Sequence, residues 1–422
     1  MGLPCAGNLI CHCRHLLSHV LYYFRDGDLF MQKTYELRIF DTTLLRFALE
    51  SSDIEGLRAQ IGSVNESPRH LLPLDLDLSR EGVVAWLRRR VIPKNRAFVG
   101  EILRSLGLAQ GDTQGIIDVC KGLSLNDCYW VVPEGFAGTF AEYNLYENRF
   151  SEILALVAYT GAGQSEQAFT TSPELTTTGM LPKAWRLIDG EGITLYKSGT
   201  SGAANAGNEP FSEFYACQIA EAMDLNTVHY GLEHWKGYLA STCRLFTSMD
   251  TSFVPIGRVV RTGGLKACLD YYEALGSQAF EAVKSMLVFD AVVFNEDRHF
   301  GNFGLLRDNH TGEVLGPAPL FDHGLSLFNF AMPGDFADLA AYAKTRAPAY
   351  DNTTFEGICR SVMGKPQAAQ LRRLIGFAFK RHPSINWPEE RLAALEKFTQ
   401  ARVRELLALA PEKKKGAREQ TL

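Results

Sequence analysis

Apolar residues recur along this chain with two different periods, and the change between them divides it. Met31–Phe40 and Cys128–Val132 read as strands, while Arg80–Val91 and Asn95–Leu108 place apolar residues three and four apart, the helical period. Glu142–Gly161 reads as a further helix, ended at Gly161-Ala162-Gly163. The runs Ala184–Ile188 and Ile193–Lys197 flank the tight turn Asp189-Gly190-Glu191-Gly192 and predict a β-hairpin. Pro210 opens a helix over Phe211–Met223, and Gly237–Phe246 reads as a strand. Helices dominate beyond residue 250. Gln278–Phe294 is apolar almost all round, which predicts a buried helix. Phe303–Leu306 and a short strand ending at Phe321 flank the turn Arg307–Gly312.

The pattern predicts an α+β protein. Residues 1–30 read as a poorly defined extension, 31–160 as an α/β accessory region, 161–250 as a small strand-containing unit and 251–410 as a helical one. The tail 411–422 lacks an apolar face and is expected to be disordered.

Composition changes this picture little. The 422 residues are 46% hydrophobic and 22% charged, ordinary for globular chains, and the length suits two or three domains. A net charge of −5 gives no reason to expect a nucleic-acid or membrane surface. No run reaches the ~20 apolar residues of a membrane helix, so a soluble cytoplasmic protein is expected. Its nine scattered cysteines are then free thiols. Cys11-His12-Cys13 with His15 suggests a metal site but lacks the second ligand pair of a zinc module. Arg88-Arg89-Arg90 reads as a solvated helix end whose cations suit the helix dipole, rather than as a DNA or RNA contact.

The chemistry gathers in two short motifs. Asp297-Arg298-His299-Phe300-Gly301-Asn302 directly follows the buried helix, so a rigid element would hold Asp297 at a loop mouth. A carboxylate there can accept or orient the proton of a substrate hydroxyl. Asn302, five positions on, offers an amide oxygen suited to Mg²⁺, and Arg298 and His299 would brace the loop. Phe321-Asp322-His323-Gly324 supplies a second carboxylate, placed to hold a metal ion. Upstream, Lys197 continues the apolar face of Ile193 and Leu195 and needs an anion. Glu213, on a stripe with Cys217 and Ala220, is its candidate partner. In Thr176–Lys183, Gly179 lets the backbone approach an anion and Lys183 adds a charge. Gly199-Thr200-Ser201-Gly202 lacks the Gly-Lys-Ser/Thr of a Walker loop and reads as a connector.

The ordered set resembles the HipA-like serine/threonine kinases, a prokaryotic branch of the kinase-like fold that includes toxin components of toxin–antitoxin pairs. The likeness spans about residues 170–330. It implies a bilobal protein-kinase-like fold using ATP and Mg²⁺, with Asp297 as catalytic base and Asn302 and Asp322 as metal ligands. Lys197 would bind the phosphates, with Glu213 as its partner. Ser241–Phe246 would lead into a hinge that meets adenine. Family members phosphorylate a hydroxyl of their own phosphate loop, and Thr176 stands at the matching place with Thr177 and Thr178 beside it. A protein substrate and an antitoxin-like partner are implied. Gly179-Met180-Leu181-Pro182-Lys183 departs from the family's Gly-Ala-Gln-x-Lys type of loop, and residues 31–150 do not match its usual small N-terminal subdomain. Lipid or small-molecule kinases with a similar Asp-Arg-His-x-x-Asn signature, and a nucleotide-binding module without catalysis, are the competing readings.

Overall fold

The computed structural model describes residues 20–25, 28–52, 56–162 and 172–410. The Cys11–Cys13 cluster, Gly163 and the tail from residue 411 lie outside them. The chain forms two compact units that do not follow simple chain order. The first comprises Met1–Ile193 with Thr247–Ser252 and Arg307–Val314, and the second Thr194–Phe246, Phe253–Leu306 and Leu315–Leu422.

The first unit is built on an antiparallel sheet of β1 (Val20–Arg25), β2 (Asp28–Ile39), β3 (Thr42–Ser52), β4 (Gly56–Val64) and β5 (Tyr129–Pro133). β3 pairs along one edge of β2. β1 and β5 share the other edge, β1 against Asp28–Lys33 and β5 against Tyr35–Ile39. The strand expected at Met31 is thus the end of a longer β2, and part of the segment expected to be an ill-defined extension is a strand. Helices α1 (Arg80–Arg88), α2 (Val99–Ser105), α3 (Thr113–Cys120), α4 (Phe140–Tyr143) and α5 (Glu152–Thr160) complete the unit, with Leu37, Ile39, Leu45, Phe47, Trp86 and Trp130 in its core.

Several local expectations are corrected. The helix expected over Glu142–Gly161 is broken because the Asn144 side chain accepts from the N–H groups of Tyr146 and Glu147, an alternative to helical bonding. The helix expected over Asn95–Leu108 is confined to α2. It starts after Phe98, which has φ 58°, and Ala97 donates its N–H to the Met180 carbonyl instead of to a helix. Arg88-Arg89-Arg90 is not a uniformly solvated end. Only Arg88 is exposed, whereas Arg90 is buried and forks onto Asp127 at 2.8 Å through both terminal nitrogens. The first unit also contains β6 (Lys183–Ile188) and the turn into β7 (Gly192–Ser198), closed by Glu191 N–H donating to Ile188 C=O.

In the second unit β7 pairs with β9 (Tyr238–Arg244), which pairs in turn with β8 (Tyr230–Trp235). The expected strand at Gly237 is therefore one arm of a hairpin. Helix α6 (Glu209–Ala222) begins with Pro210 in its first turn, where a missing N–H costs nothing. Next come β10 (Thr251–Pro255), α7 (Ile256–Val259), α8 (Gly264–Ala274) and α9 (Ser277–Val293), then the hairpin β11 (Gly304–Asp308) and β12 (Val314–Pro317), of which Thr251–Ser252, Arg307–Asp308 and Val314 fall in the first unit. The strand expected to run to Phe321 stops at Pro317. Pro319 cannot donate to a ladder, so only a bridge from Leu320 to Thr227 continues the pairing. Helices α10 (Leu339–Ala343), α11 (Phe355–Val362), α12 (Lys365–Arg373) and α13 (Glu389–Leu407) follow. α9 is the buried axis of this unit, packed by α6, α8, α11, α12 and α13.

Candidate active site

The end of α9 sets the site. Phe294 stops the helix in the left-handed region (φ 55°) although it is not glycine, held there by ring contacts with Phe328, Phe355 and Phe398. Asp322, Leu327 and Phe328 also have positive φ, so four strained residues flank the two motifs. Such strain persists only where the surroundings fix it.

Arg298 does most of that fixing. It is 1% exposed, and its guanidinium meets both oxygens of Asp290 at 3.1 Å. One terminal nitrogen, Nη1, donates to the carbonyls of Asn302 (2.9 Å) and Phe321 (2.6 Å), while Nη2 meets His323 Nδ1 at 3.1 Å. A single side chain thereby ties the Asp297–Asn302 loop to the residue before Asp322. Burial works against the charge of Arg298, but Asp290 outweighs it and holds the pKa above the usual value. His323 is fully buried beside this cation, and burial and Arg298 together push its pKa well below the ordinary value, so it is neutral.

Asp297 is half-buried. Its N–H donates to Asn295 Oδ1 (3.1 Å), and its carbonyl accepts from Asn302 Nδ2 (2.9 Å). Burial pushes its carboxyl pKa up. Asp322 pushes the same way, while His299, Lys197 and Arg298 pull it down. His299 is exposed, and its Nδ1 accepts from Gly301 N–H at 3.0 Å, so it shapes the loop from its outer side.

Lys197 lies between two carboxylates, with Nζ 2.5 Å from Glu213 Oε1 and 2.6 Å from Asp322 Oδ1. Burial opposes its charge, but Asp322 and Glu213 prevail and keep the ammonium protonated. Ser241 on β9 donates its hydroxyl to the other Glu213 oxygen. Tyr230 on β8 accepts the Asp322 N–H through its hydroxyl at 3.0 Å. Ser241, Tyr230 and Asp290 were missed from sequence. Asp290 carried a signal, a carboxylate within the otherwise apolar run Met286–Val293 at the end of α9. Phe246 packs in a buried cluster with Cys217, Val228 and Tyr230, its ring 5.5 Å from those of Phe253 and Phe321.

The residues present fit Mg²⁺. The Asn302 amide is oriented by its NH₂ on the Asp297 carbonyl, which turns Oδ1 the other way. The segments bearing Asn302 and Asp322 are anchored on one guanidinium nitrogen, and amide and carboxylate oxygens are hard donors.

Gly179, Lys183 and Thr176 belong to the first unit. Lys183 is buried, and its Nζ donates to the Thr178 carbonyl at 3.0 Å. Thr176 is 4% exposed, with its hydroxyl donated to the Leu123 carbonyl (2.8 Å). That hydroxyl is engaged in this conformation, whereas Thr178 is exposed.

A buried lysine paired with a helix glutamate, a loop bearing Asp297 and Asn302, and a downstream carboxylate resemble the arrangement of kinase-like sites. Comparison with known proteins points to kinases as well. The chain is 30% identical over 135 residues to the serine/threonine-protein kinase CtkA of Helicobacter pylori, a match covering 29% of this chain and 41% of CtkA. It thus spans less than half the length of that relative. Its fold is similar to that of a chain in the HipA, HipB and operator DNA complex of the Shewanella oneidensis toxin–antitoxin system. The TM-score is 0.50 at 12% identity, over 89% of this chain and 99% of the other. A crystal structure of CtkA overlays with a TM-score of 0.41 at 17% identity, over 54% of this chain and 92% of the other, too loosely to bear on the fold. No protein-family model matches. The resemblance to HipA-like kinases is borne out. The expectation of no nucleic-acid contact gains no support, since the HipA complex includes operator DNA. Among the described residues no helix is long and apolar enough to cross a membrane.

Proposed function

We propose that this protein is an ATP- and Mg²⁺-dependent serine/threonine protein kinase of the HipA-like kind. The observation that carries the reading is the Lys197 ammonium clasped by Glu213 and Asp322. A cation fixed in that way is suited to phosphate oxygens, and a carboxylate beside it is suited to a metal ion. Bound Mg²⁺ would be held by Asn302 and Asp322 and would neutralise charge developing on the transferred group.

The protein's own residues do the rest. Asp297, with a raised pKa and a carbonyl fixed by Asn302, orients the acceptor hydroxyl and takes its proton as the hydroxyl attacks. Arg298 keeps that carboxylate in register with Asp322, and Glu213 keeps Lys197 extended. The backbone after β9 at Phe246 would meet adenine, and Thr176–Lys183 would face the phosphates, with Gly179 allowing close approach. The proposed layout is bilobal, with residues 161–250 and 251–410 as lobes and 31–160 as an accessory region. Self-phosphorylation of the loop falls on Thr176 only if the loop opens. The likeness to HipA, whose complex holds HipB and operator DNA, makes an antitoxin-like partner part of the proposal.

Transfer of the labelled γ-phosphate of ATP to protein, lipid and sugar acceptors tests the reading. Label in protein hydroxyls is the expected result. Label in lipid or sugar alone would replace the protein kinase by the second phosphotransferase reading.

A further inference from the structure

In the Thr176–Lys183 loop the carbonyls of Thr177, Thr178, Met180 and Lys183 are all bonded, while Thr176 and Thr177 donate their N–H groups to the Pro173 carbonyl. Arg96 Nη1 donates to the Thr177 carbonyl at 2.9 Å and Arg96 Nη2 to the Lys183 carbonyl at 2.8 Å. Ala97 N–H donates to the Met180 carbonyl at 2.9 Å, and Lys183 Nζ to the Thr178 carbonyl at 3.0 Å. Among the described residues no acceptor meets the N–H of Thr178, Gly179 or Met180, and all three residues are exposed.

Arg96 is itself fixed. Its Nη2 lies 2.6 Å from Glu174 Oε2, with both side chains at most 1% exposed, and the other Glu174 oxygen accepts from Trp185 N–H at 2.8 Å. Burial drives each partner toward its neutral form, and the 2.6 Å contact opposes this. Gly179 has φ 89°, a conformation that favours glycine, and a Cβ there would displace Lys183 Nζ, 2.2 Å away. Successive unpaired N–H groups in such a turn form a concavity for an anion.

We infer that Arg96, held by Glu174, is a positioning residue that turns the loop carbonyls inward and leaves the Thr178–Met180 amides as a cradle for phosphate oxygens. The inference rests on the phosphate-facing reading of this loop. It gives the accessory region a task, since Arg96 and Ala97 belong to it: setting nucleotide affinity.

The test uses the full chain with Glu174→Gln, Arg96→Lys and Gly179→Ala. Two quantities are read: hydrogen exchange at Ala97, whose N–H donates to the Met180 carbonyl, and at Thr177, whose N–H donates to the Pro173 carbonyl while Arg96 holds its carbonyl, and KM for ATP against kcat. Glu174→Gln should speed exchange at both amides and raise KM about tenfold, with kcat held within about threefold. Arg96→Lys, which keeps the charge but not the fork, should fall between wild type and Glu174→Gln. Gly179→Ala leaves the ion pair intact and should raise KM in the same way, which keeps the test open if an Arg96 or Glu174 variant fails to fold. Unchanged exchange in Glu174→Gln overturns the clamp. Faster exchange with unchanged KM shows that the phosphate-facing reading is wrong and sinks the inference with it. Unchanged KM in Gly179→Ala does the same, and transfer by the other residues of the site would still be measurable.

Discussion

Replacing Arg298 by lysine should cost both stability and rate, and the structure gives the size of each. The guanidinium makes a two-pronged contact with Asp290, donates to two backbone carbonyls and meets His323. A lysine keeps the charge near Asp290 but cannot reach the carbonyls of Asn302 and Phe321 at the same time. Bonds from a charged donor contribute roughly 1.5–3 kcal/mol each. Loss of one or two, partly relieved by water, puts Arg298→Lys near 3 kcal/mol, close to the ~3–5 kcal/mol for breaking a buried pair outright. For a unit of this size that lowers Tm by roughly 6–12 °C. The same two carbonyls hold the Asp297 loop to Asp322, so kcat should fall about a hundredfold, or roughly 2.7 kcal/mol of barrier. Urea unfolding followed by single-turnover phosphoryl transfer on the folded variant separates the two effects. A stability change under about 0.5 kcal/mol together with a rate within threefold would refute the role given to Arg298.

Two further outcomes follow from the same network. A double-mutant cycle on Lys197→Met and Glu213→Gln, read in kcat/KM for ATP, should give a coupling of about 1–3 kcal/mol, and additivity would mean that the pair does not act as a unit. His323 must stay neutral in the folded state, so the unfolded chain binds its proton first as pH falls. Stability should decline by up to about 1.4 kcal/mol per pH unit below the ordinary histidine value, until the depressed folded-state pKa is reached. His323→Gln should flatten that slope, as measured by Tm between pH 7 and about 5.

The motif residues were legible because kinase-like chemistry imposes fixed residue types at fixed spacing, and a buried helix leading into a polar loop is plain in sequence. Lys197 and Glu213 were legible as an unpaired charge on an apolar strand face and a nearby acid on a helix stripe. Of the N-terminal sheet, β2 and β5 were legible, but β1, β3 and β4 were not. β3 pairs with β2 and β4, with irregularities in register at Leu37/Arg38 and at Arg46/Phe47. A bulge shifts the alternation by one residue, so Leu44, Leu45, Phe47, Ala48 and Leu49 are all buried and the run looks neither like a strand nor like a helix. Partners distant in sequence were equally hidden. Nothing beside Arg90 announces Asp127, and nothing beside Arg96 announces Glu174. Both cations are buried only because folding brings an acid to them.

The most direct measurement is phosphoryl transfer from ATP in the presence of Mg²⁺ by wild type and Asp297→Asn, with Tm recorded for both. Asp297 carries a charge that burial disfavours, so the neutral amide should leave Tm unchanged or raise it. Removing the base should lower kcat by about 10²–10⁴. The remaining wild-type rate should rise with pH across an acid limb displaced above the usual carboxylate value, because only ionised Asp297 accepts the proton. A well-folded Asp297→Asn protein that transfers phosphate at the wild-type rate would contradict the account at its centre.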